Sequence, residues 1–196
     1  MIEIKPISEP KWKSYIVETT SPIFTPQQCD EIIKAGMSQP RQDGVIGGGS
    51  NGEKNLNVRS SFISWIPPKA LPPMYHVLET WMHKVNKNHF GFEGMQITEQ
   101  TQFTTYEPGG FYNWHMDSDF QMSGEPPVRK ISMTCLLSDP SEFEGGGLEL
   151  MEEGRIARPK RGHAIFFASF IRHRVMPVTR GVRKSLVAWF GGTPFK

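Results

Sequence analysis

At 196 residues, 37% of them hydrophobic and 21% charged, the chain is long enough for one substantial core and short for two, so a single domain over 1–196 is expected. A formal charge of +2 is too mild to call for nucleic acid or an anionic membrane as an obligatory partner. No apolar run approaches a membrane span, and Met1-Ile-Glu-Ile-Lys-Pro6 lacks the basic and apolar regions of a signal peptide, which predicts a cytoplasmic protein.

The first clear element begins at Thr25-Pro-Gln-Gln28, an N-cap threonine with proline at the first helical position and glutamine where a capping box needs it. Cys29, Ile32, Ile33 and Met37 then share a helical face. The segment from Arg41 to Asn57, containing Gly47-Gly-Gly-Ser-Asn-Gly52, is too poor in apolar groups to pack tightly. It reads as a mobile loop, either a surface excursion or a substrate lid. A second amphipathic helix is predicted from about Pro73 to Phe90, with Val77, Leu78, Trp81, Met82 and Val85 on its buried stripe. From Gln96 onward strands and turns take over. Gln96 to Tyr106, Lys130 to Leu137, Gly147 to Met151, His163 to Ser169 and Lys184 to Gly191 carry the β-branched or alternating patterns of strands. Two helices followed by many short strands predict a mainly β fold with flanking helices, an antiparallel double sheet of the jelly-roll (double-stranded β-helix) kind with its site in the barrel mouth. Cys29 and Cys135, one in a helix and one in a strand without Cys-x-x-Cys spacing, are expected as buried thiols in a reducing compartment.

Chemistry concentrates in two places. Between Gly109 and Phe120 the aromatic residues Phe111, Tyr112 and Trp114 suit an extended chain, in which alternate side chains share a face, so His115 and Asp117 aim together while Trp114 and Met116 face away. His173 must come from another strand, and His163 to Ser169 supplies one just before it. Two imidazoles and one carboxylate form the ligand set of a non-haem Fe(II) oxygenase site, with coordination positions left open for chemistry. Arg183 opens the last strand after the turn Thr179-Arg180-Gly181, and a guanidinium clamps a carboxylate through two parallel hydrogen bonds. An open iron site with such an arginine suits a keto acid whose far end is a carboxylate, a description that 2-oxoglutarate fits.

Tyr106-Glu-Pro-Gly-Gly-Phe-Tyr-Asn-Trp-His115-Met-Asp117, then Leu137-Ser-Asp-Pro140 and Gly145-Gly-Gly-Leu148, then His173-Arg-Val-Met-Pro-Val-Thr-Arg-Gly-Val-Arg183, resemble the 2-oxoglutarate and Fe(II)-dependent oxygenases, most nearly the prolyl 4-hydroxylase-like branch with the bacterial PKHD-type hydroxylases. The likeness runs from about residue 24 to 192. It implies that His115, Asp117 and His173 bind iron, that Arg183 pairs the distal carboxylate of 2-oxoglutarate, and that Tyr106 lies beside that cosubstrate. It also implies Fe(II) and 2-oxoglutarate as cofactors, O2 as co-reactant, ascorbate as an optional addition, and hydroxylation of a peptide, protein or small-molecule substrate. A peptidyl proline is the leading expectation. Leu136 stands where the family often carries an aromatic residue. Asp117 fills the position that related halogenases leave vacant for a halide, which favours hydroxylation.

Rival readings are defined by the same residues. Asp119 shares the strand face of Asp117, and Arg180 and Lys184 flank Arg183, although alternation turns Lys184 to the opposite face. His76, His83, His89 and His163 have no partner at ligand spacing and are expected as ordinary histidines. Arg59-Ser60-Ser61 with Trp65 is read equally as a strand near the site mouth or as an exposed charge beside a packed tryptophan. A cupin-like metal barrel would use the triad but give Arg183 no role, and an inactive barrel serving as an interaction module would bind no metal. Substrate choice is assigned to the loops Arg41 to Asn57 and Ser118 to Val128, and the oligomeric state has no sequence signature.

Overall fold

The computed structural model describes residues 14–46, 53–118, 127–151 and 154–194. Helix α1 (Pro26–Met37) starts as its sequence requires: Gln28 N–H donates to Thr25 Oγ1 and Thr25 N–H donates to Gln28 Oε1. Its inward face is Cys29, Ile32 and Gly36; Met37, expected on that face, is 69% exposed. Gly36 sets this rotation. A Cβ there would lie 2.3 Å from the Phe103 ring, and Ser64 Oγ donates to the Gly36 carbonyl, so backbone rather than a methionine side chain meets the sheet. Helix α2 (Pro72–Val85) buries Met74, Tyr75, Leu78, Met82 and Val85, leaving Val77 and Trp81 at the flank of the stripe. Its last turn widens into a π-helical segment over Asn86–Phe90, ended by Gly91 at φ 70°.

In chain order the strands are β1 (Ile16–Glu18), β2 (Gln42–Asp43), β3 (Arg59–Ser60), β4 (Phe62–Ile66), β5 (Gln96–Ile97), β6 (Thr101–Tyr106) and β7 (Phe111–His115). They continue as β8 (Val128–Leu136), β9 (Phe143–Gly145), β10 (Leu148–Leu150), β11 (Arg155–Ala157), β12 (Ala164–Ala168), β13 (His173–Val175), β14 (Val178–Gly181) and β15 (Arg183–Gly192). The larger sheet runs β1-β12-β8-β15-β6-β4-β2, with β5 paired to the far end of β15, and the smaller runs β11-β10-β13-β7-β3. Every pairing is antiparallel, and the two sheets form the expected jelly roll, a double-stranded β-helix with helices flanking the larger sheet. Among the described residues no helix is long and apolar enough to cross a membrane.

Alternation gives the larger sheet two chemistries. On β15 the even positions Leu186, Ala188 and Phe190 join the apolar core with Leu78 and Met82 of α2, while Arg183, Ser185, Val187 and Trp189 line a cavity between the sheets. On β6 Phe103 packs beneath α1, and Gln102, Thr104 and Tyr106 face the cavity. Cys29 and Cys135 are free, fully buried thiols, as expected.

Part of the glycine-rich stretch is more ordered than its composition suggests. Gln42 and Asp43 pair with Ile63 and Phe62, and Ile46 bridges Glu53, so the backbone supplies the order that apolar side chains do not. The rest of that expected loop or lid, 47–52, lies outside the described residues, as do 119–126 of the second loop and therefore the rival ligand Asp119. The expected turn at Thr179-Arg180-Gly181 is strand β14 instead, paired with β9 as a two-stranded ribbon.

Candidate active site

His115 is the last residue of β7, and His173 is the first of β13; the two are register partners across the smaller sheet. The chain therefore crosses from the larger sheet to the smaller between β12 and β13, so His173 does not extend the strand before it, contrary to the simplest reading of the sequence. Asp117 lies beyond the end of β7, outside strict strand alternation. Its N–H and that of Ser118 donate to the Ser169 carbonyl, which ties the bend to the end of β12. Met116, expected to face away, lines the cavity mouth because the bend releases it from the pleat. Trp114 does face away, between the guanidinium groups of Arg172 and Arg174.

The three candidate ligands converge. Asp117 Oδ1 is 3.7 Å from His115 Nε2, Asp117 Oδ2 is 3.7 Å from His173 Nε2, and one donor atom from each residue lies within 4.8 Å of the others. These separations exceed a direct hydrogen bond, so the groups are held mainly from behind. His115 Nδ1 donates to the Asn113 carbonyl at 2.7 Å and His173 Nδ1 to the Ile171 carbonyl at 2.9 Å. A carbonyl only accepts, so both rings carry a proton on Nδ1 and turn Nε2 inward. Tyr112 stacks on His115 with centroids 3.5 Å apart, and Phe167 meets His173 edge-on at 4.6 Å.

Electrostatics favours the ligand form of His115 and Asp117. Burial, reinforced by neighbouring His173 and opposed by Asp117, pushes His115 down to about 3, which keeps its lone pair free at neutral pH. Burial would raise Asp117, but His173, His115 and the Ser132 hydroxyl outweigh it and hold the carboxyl below its ordinary value. Two imidazoles and a carboxylate, each oriented by a protein partner, fit a divalent first-row metal. Among the described residues no other group of three such donors comes together, and His76, His83, His89 and His163 stay apart from this one.

Arg183 opens into the same cavity, which has a volume of about 740 Å³, a size ordinary for a small-molecule site. The side chain is 3% exposed, and Nη1 donates to Ser185 Oγ at 3.1 Å. No carboxylate among the described residues lies within ion-pair distance of it. Burial pulls the guanidinium below its ordinary value, with Tyr106 opposing, yet an arginine stays charged in a protein. A buried cation with no counter-ion costs several kcal/mol, roughly, unless a ligand supplies the anion. Tyr106 is the register partner of Arg183, and the guanidinium carbon lies 5.4 Å from its ring. The rivals fall away: Arg180 is an exposed residue paired with Glu144 at 2.7 Å, and Lys184 does not line the cavity. Leu136 is buried but likewise does not line it.

Sequence reading undervalued the opposite end of the cavity. Arg59 is not an exposed charge; it is 6% exposed, lines the cavity and lies over Tyr112 with its guanidinium carbon 4.4 Å from the ring centre. Nearby, Arg129 clamps Glu99 through two 2.6 Å bonds and stacks on Trp189, which in turn sits 6.1 Å from Trp65. The polar alternation Gln102, Thr104, Tyr106 was the available signal that one face of β6 borders a cavity rather than core.

Residues 101–191 match the family model described as the 2OG-Fe(II) oxygenase superfamily. A PKHD-type hydroxylase of Synechococcus sp. (strain CC9902) is 38% identical over 85 residues, 42% of this chain and 37% of that protein. The match thus spans well under half the length of that relative. Among solved structures, the viral collagen prolyl hydroxylase of Paramecium Bursaria Chlorella virus-1, in complex with 2OG, superposes with a TM-score of 0.73 at 20% identity over 92% of this chain and 97% of that one. A Pseudomonas putida prolyl-4-hydroxylase gives a TM-score of 0.62 at 20% identity, covering 91% of this chain and 92% of that one. The resemblance carried by the three sequence motifs is borne out, and so is the fold.

Proposed function

From that kinship we propose that the chain is an Fe(II)- and 2-oxoglutarate-dependent dioxygenase that hydroxylates a C–H bond, and that residues 1–196 form one domain. His115, Asp117 and His173 would hold the iron, Arg183 the distal carboxylate of 2-oxoglutarate, and Tyr106 would border that cosubstrate. The observation that carries the reading is the pairing, in one cavity, of a His-Asp-His donor set with a buried guanidinium that has no protein counter-ion. A cupin-like barrel without 2-oxoglutarate leaves that charge unexplained. When bound, iron and 2-oxoglutarate supply the oxygen chemistry: one atom of O2 enters the substrate C–H bond, the other enters succinate, and CO2 is released.

The protein's own part is positional. Asn113 and Ile171 carbonyls fix the imidazole tautomers, Ser169 anchors the Asp117 bend, and Ser185 aims Arg183. The named activities of the viral and Pseudomonas proteins make a prolyl residue the leading substrate class. The Trichoplax adhaerens prolyl hydroxylase, of like fold, is in complex with a peptide fragment, which supports a peptide as one form of substrate. Buried free thiols and an Fe(II) requirement both suit the cytoplasm.

Reconstitution tests the reading. Protein loaded anaerobically with Fe(II) and 2-oxoglutarate, then given O2 with proline-containing peptides, should release succinate and add one oxygen to the peptide, with and without ascorbate. Absence of succinate under all these conditions overturns it.

A further inference from the structure

We propose that Arg59 is a specificity-determining residue that binds a carboxylate of the prime substrate, so that the molecule hydroxylated carries an acid group near the reacting carbon. This deepens the dioxygenase reading and rests on it. Three of the five guanidinium N–H groups have protein acceptors: Nε donates to Ser61 Oγ at 2.8 Å, Nη1 to the Val45 carbonyl at 3.1 Å and Nη2 to Gln102 Oε1 at 2.9 Å. All three acceptors are neutral. Among the described residues no carboxylate pairs with Arg59, although the side chain is 94% buried, by its 6% exposure, and lines the cavity.

The charges around the cavity single it out. Arg129 is neutralised by Glu99. The two charges of a bound Fe(II), together with Arg183, balance Asp117 and the two carboxylates of 2-oxoglutarate. Arg59 remains as the one uncompensated cation among the described lining residues. Nor is its seat accidental. A Cβ on Gly44 would lie 2.4 Å from Arg59 Nε, so the backbone closes against the guanidinium and holds it in place. Tyr112 touches both this group and His115, placing the free charge one aromatic ring from the iron ligands. An acid group there would bring its neighbouring carbons toward the reacting centre, and a neutral amide would leave the charge unpaired.

The acid can belong to a free amino acid, to the C-terminus of a peptide, or to an Asp or Glu side chain. The test uses the Fe(II) and 2-oxoglutarate-loaded protein with three arms: free L-amino acids including proline, proline-ending peptides, and internal proline peptides with Asp or Glu beside the proline. Each acid is matched by its carboxamide. In at least one arm the acid should accelerate succinate release and gain one oxygen, with kcat/KM about ten- to a hundredfold above its amide. Anaerobic calorimetry should show the same preference in binding, without turnover. Arg59→Gln should collapse the acid-to-amide ratio toward one, while Arg59→Lys keeps part of it. A merely structural Arg59 would lower both rates and preserve the ratio. Equal use of acid and amide by the unmodified protein, use of neutral peptides alone, or a ratio that survives Arg59→Gln overturns the proposal, and the first two need no variant. Succinate formed without acid discrimination leaves the dioxygenase reading standing; no succinate in any arm removes both.

Discussion

The two ends of the cavity use the same device differently. At the inner end Arg183 has one hydrogen-bond acceptor from the protein, whereas at the outer end Arg59 has three. Each is seated against a glycine: a Cβ on Gly146 would lie 2.7 Å from Arg183 Cδ, and one on Gly44 would lie 2.4 Å from Arg59 Nε. A guanidinium with most of its donors free asks a ligand for hydrogen bonds as well as charge. One with three donors already bonded has two left and asks for charge with fewer hydrogen bonds. The Arg183 end would thus suit one particular dianion, and the Arg59 end a wider range of molecules that share an acid group.

The sharpest break of that comparison is at the metal donors. Asp117→Ala, His115→Ala and His173→Ala should each abolish iron-dependent succinate release while circular dichroism stays that of the parent, since the triad edges the core rather than forming it. Full turnover in Asp117→Ala without added carboxylate would refute the ligand assignment.

Arg183→Ala comes next. Loss of a charge-assisted pair of roughly 1.5–3 kcal/mol should weaken 2-oxoglutarate about ten- to a hundredfold, and iron binding should survive. Arg180→Ala and Lys184→Ala, which lie off the cavity, are the controls. Titration of 2-oxoglutarate into the four proteins checks this, and a larger loss in either control means the clamp is misplaced.

A smaller effect belongs to pH. His115 is held near 3 in the fold, against an ordinary value of 6.5 when unfolded. Below about 6.5 the unfolded chain therefore binds a proton that the folded metal-free chain refuses, and stability falls as pH falls. Asp117 acts in the same direction lower down, because its folded value is depressed and its contribution disappears only under strong acid. Chelated protein should lose on the order of 1–2 kcal/mol between pH 7 and 5 in urea unfolding, and His115→Asn should flatten that slope. An unchanged slope in the variant would place the titration elsewhere.

The smallest contrast concerns the two glycines. Gly44→Ala pushes on the Arg59 guanidinium and on the Ser61 hydroxyl that it bonds, and should cost about 1–2 kcal/mol of stability while raising KM for an acid substrate. Gly146→Ala adds strain at φ +62° to a clash with Arg183, and should lower Tm further and raise KM for 2-oxoglutarate instead. Thermal melts and the two KM values, measured side by side, separate the ends of the cavity.

The grouping of His115, Asp117 and His173 was legible in the sequence because a close pair, a third histidine and a spaced arginine form a pattern that needs no knowledge of distant contacts. The capping box of α1 was legible for the same reason, since both of its hydrogen bonds close within four residues. Local pattern failed where a partner from far along the chain decided the outcome. Met37 was turned outward by the approach of Gly36 to Phe103, and Asp117 left the strand to bond Ser169. His173 joined the opposite sheet from the strand before it, pairing with β7 and β10. Arg59 shows the limit most clearly. Its sequence neighbours, Ser60 and Ser61, suit an exposed strand as well as a buried one. Only the packing of Gly44, Val45, Gln102 and Tyr112 around it, from three other parts of the chain, removes the guanidinium from water and leaves its charge to be answered by a ligand. Burial is a property of the assembled sheets, and a charge has no counter-ion to lack until the fold has excluded solvent from it.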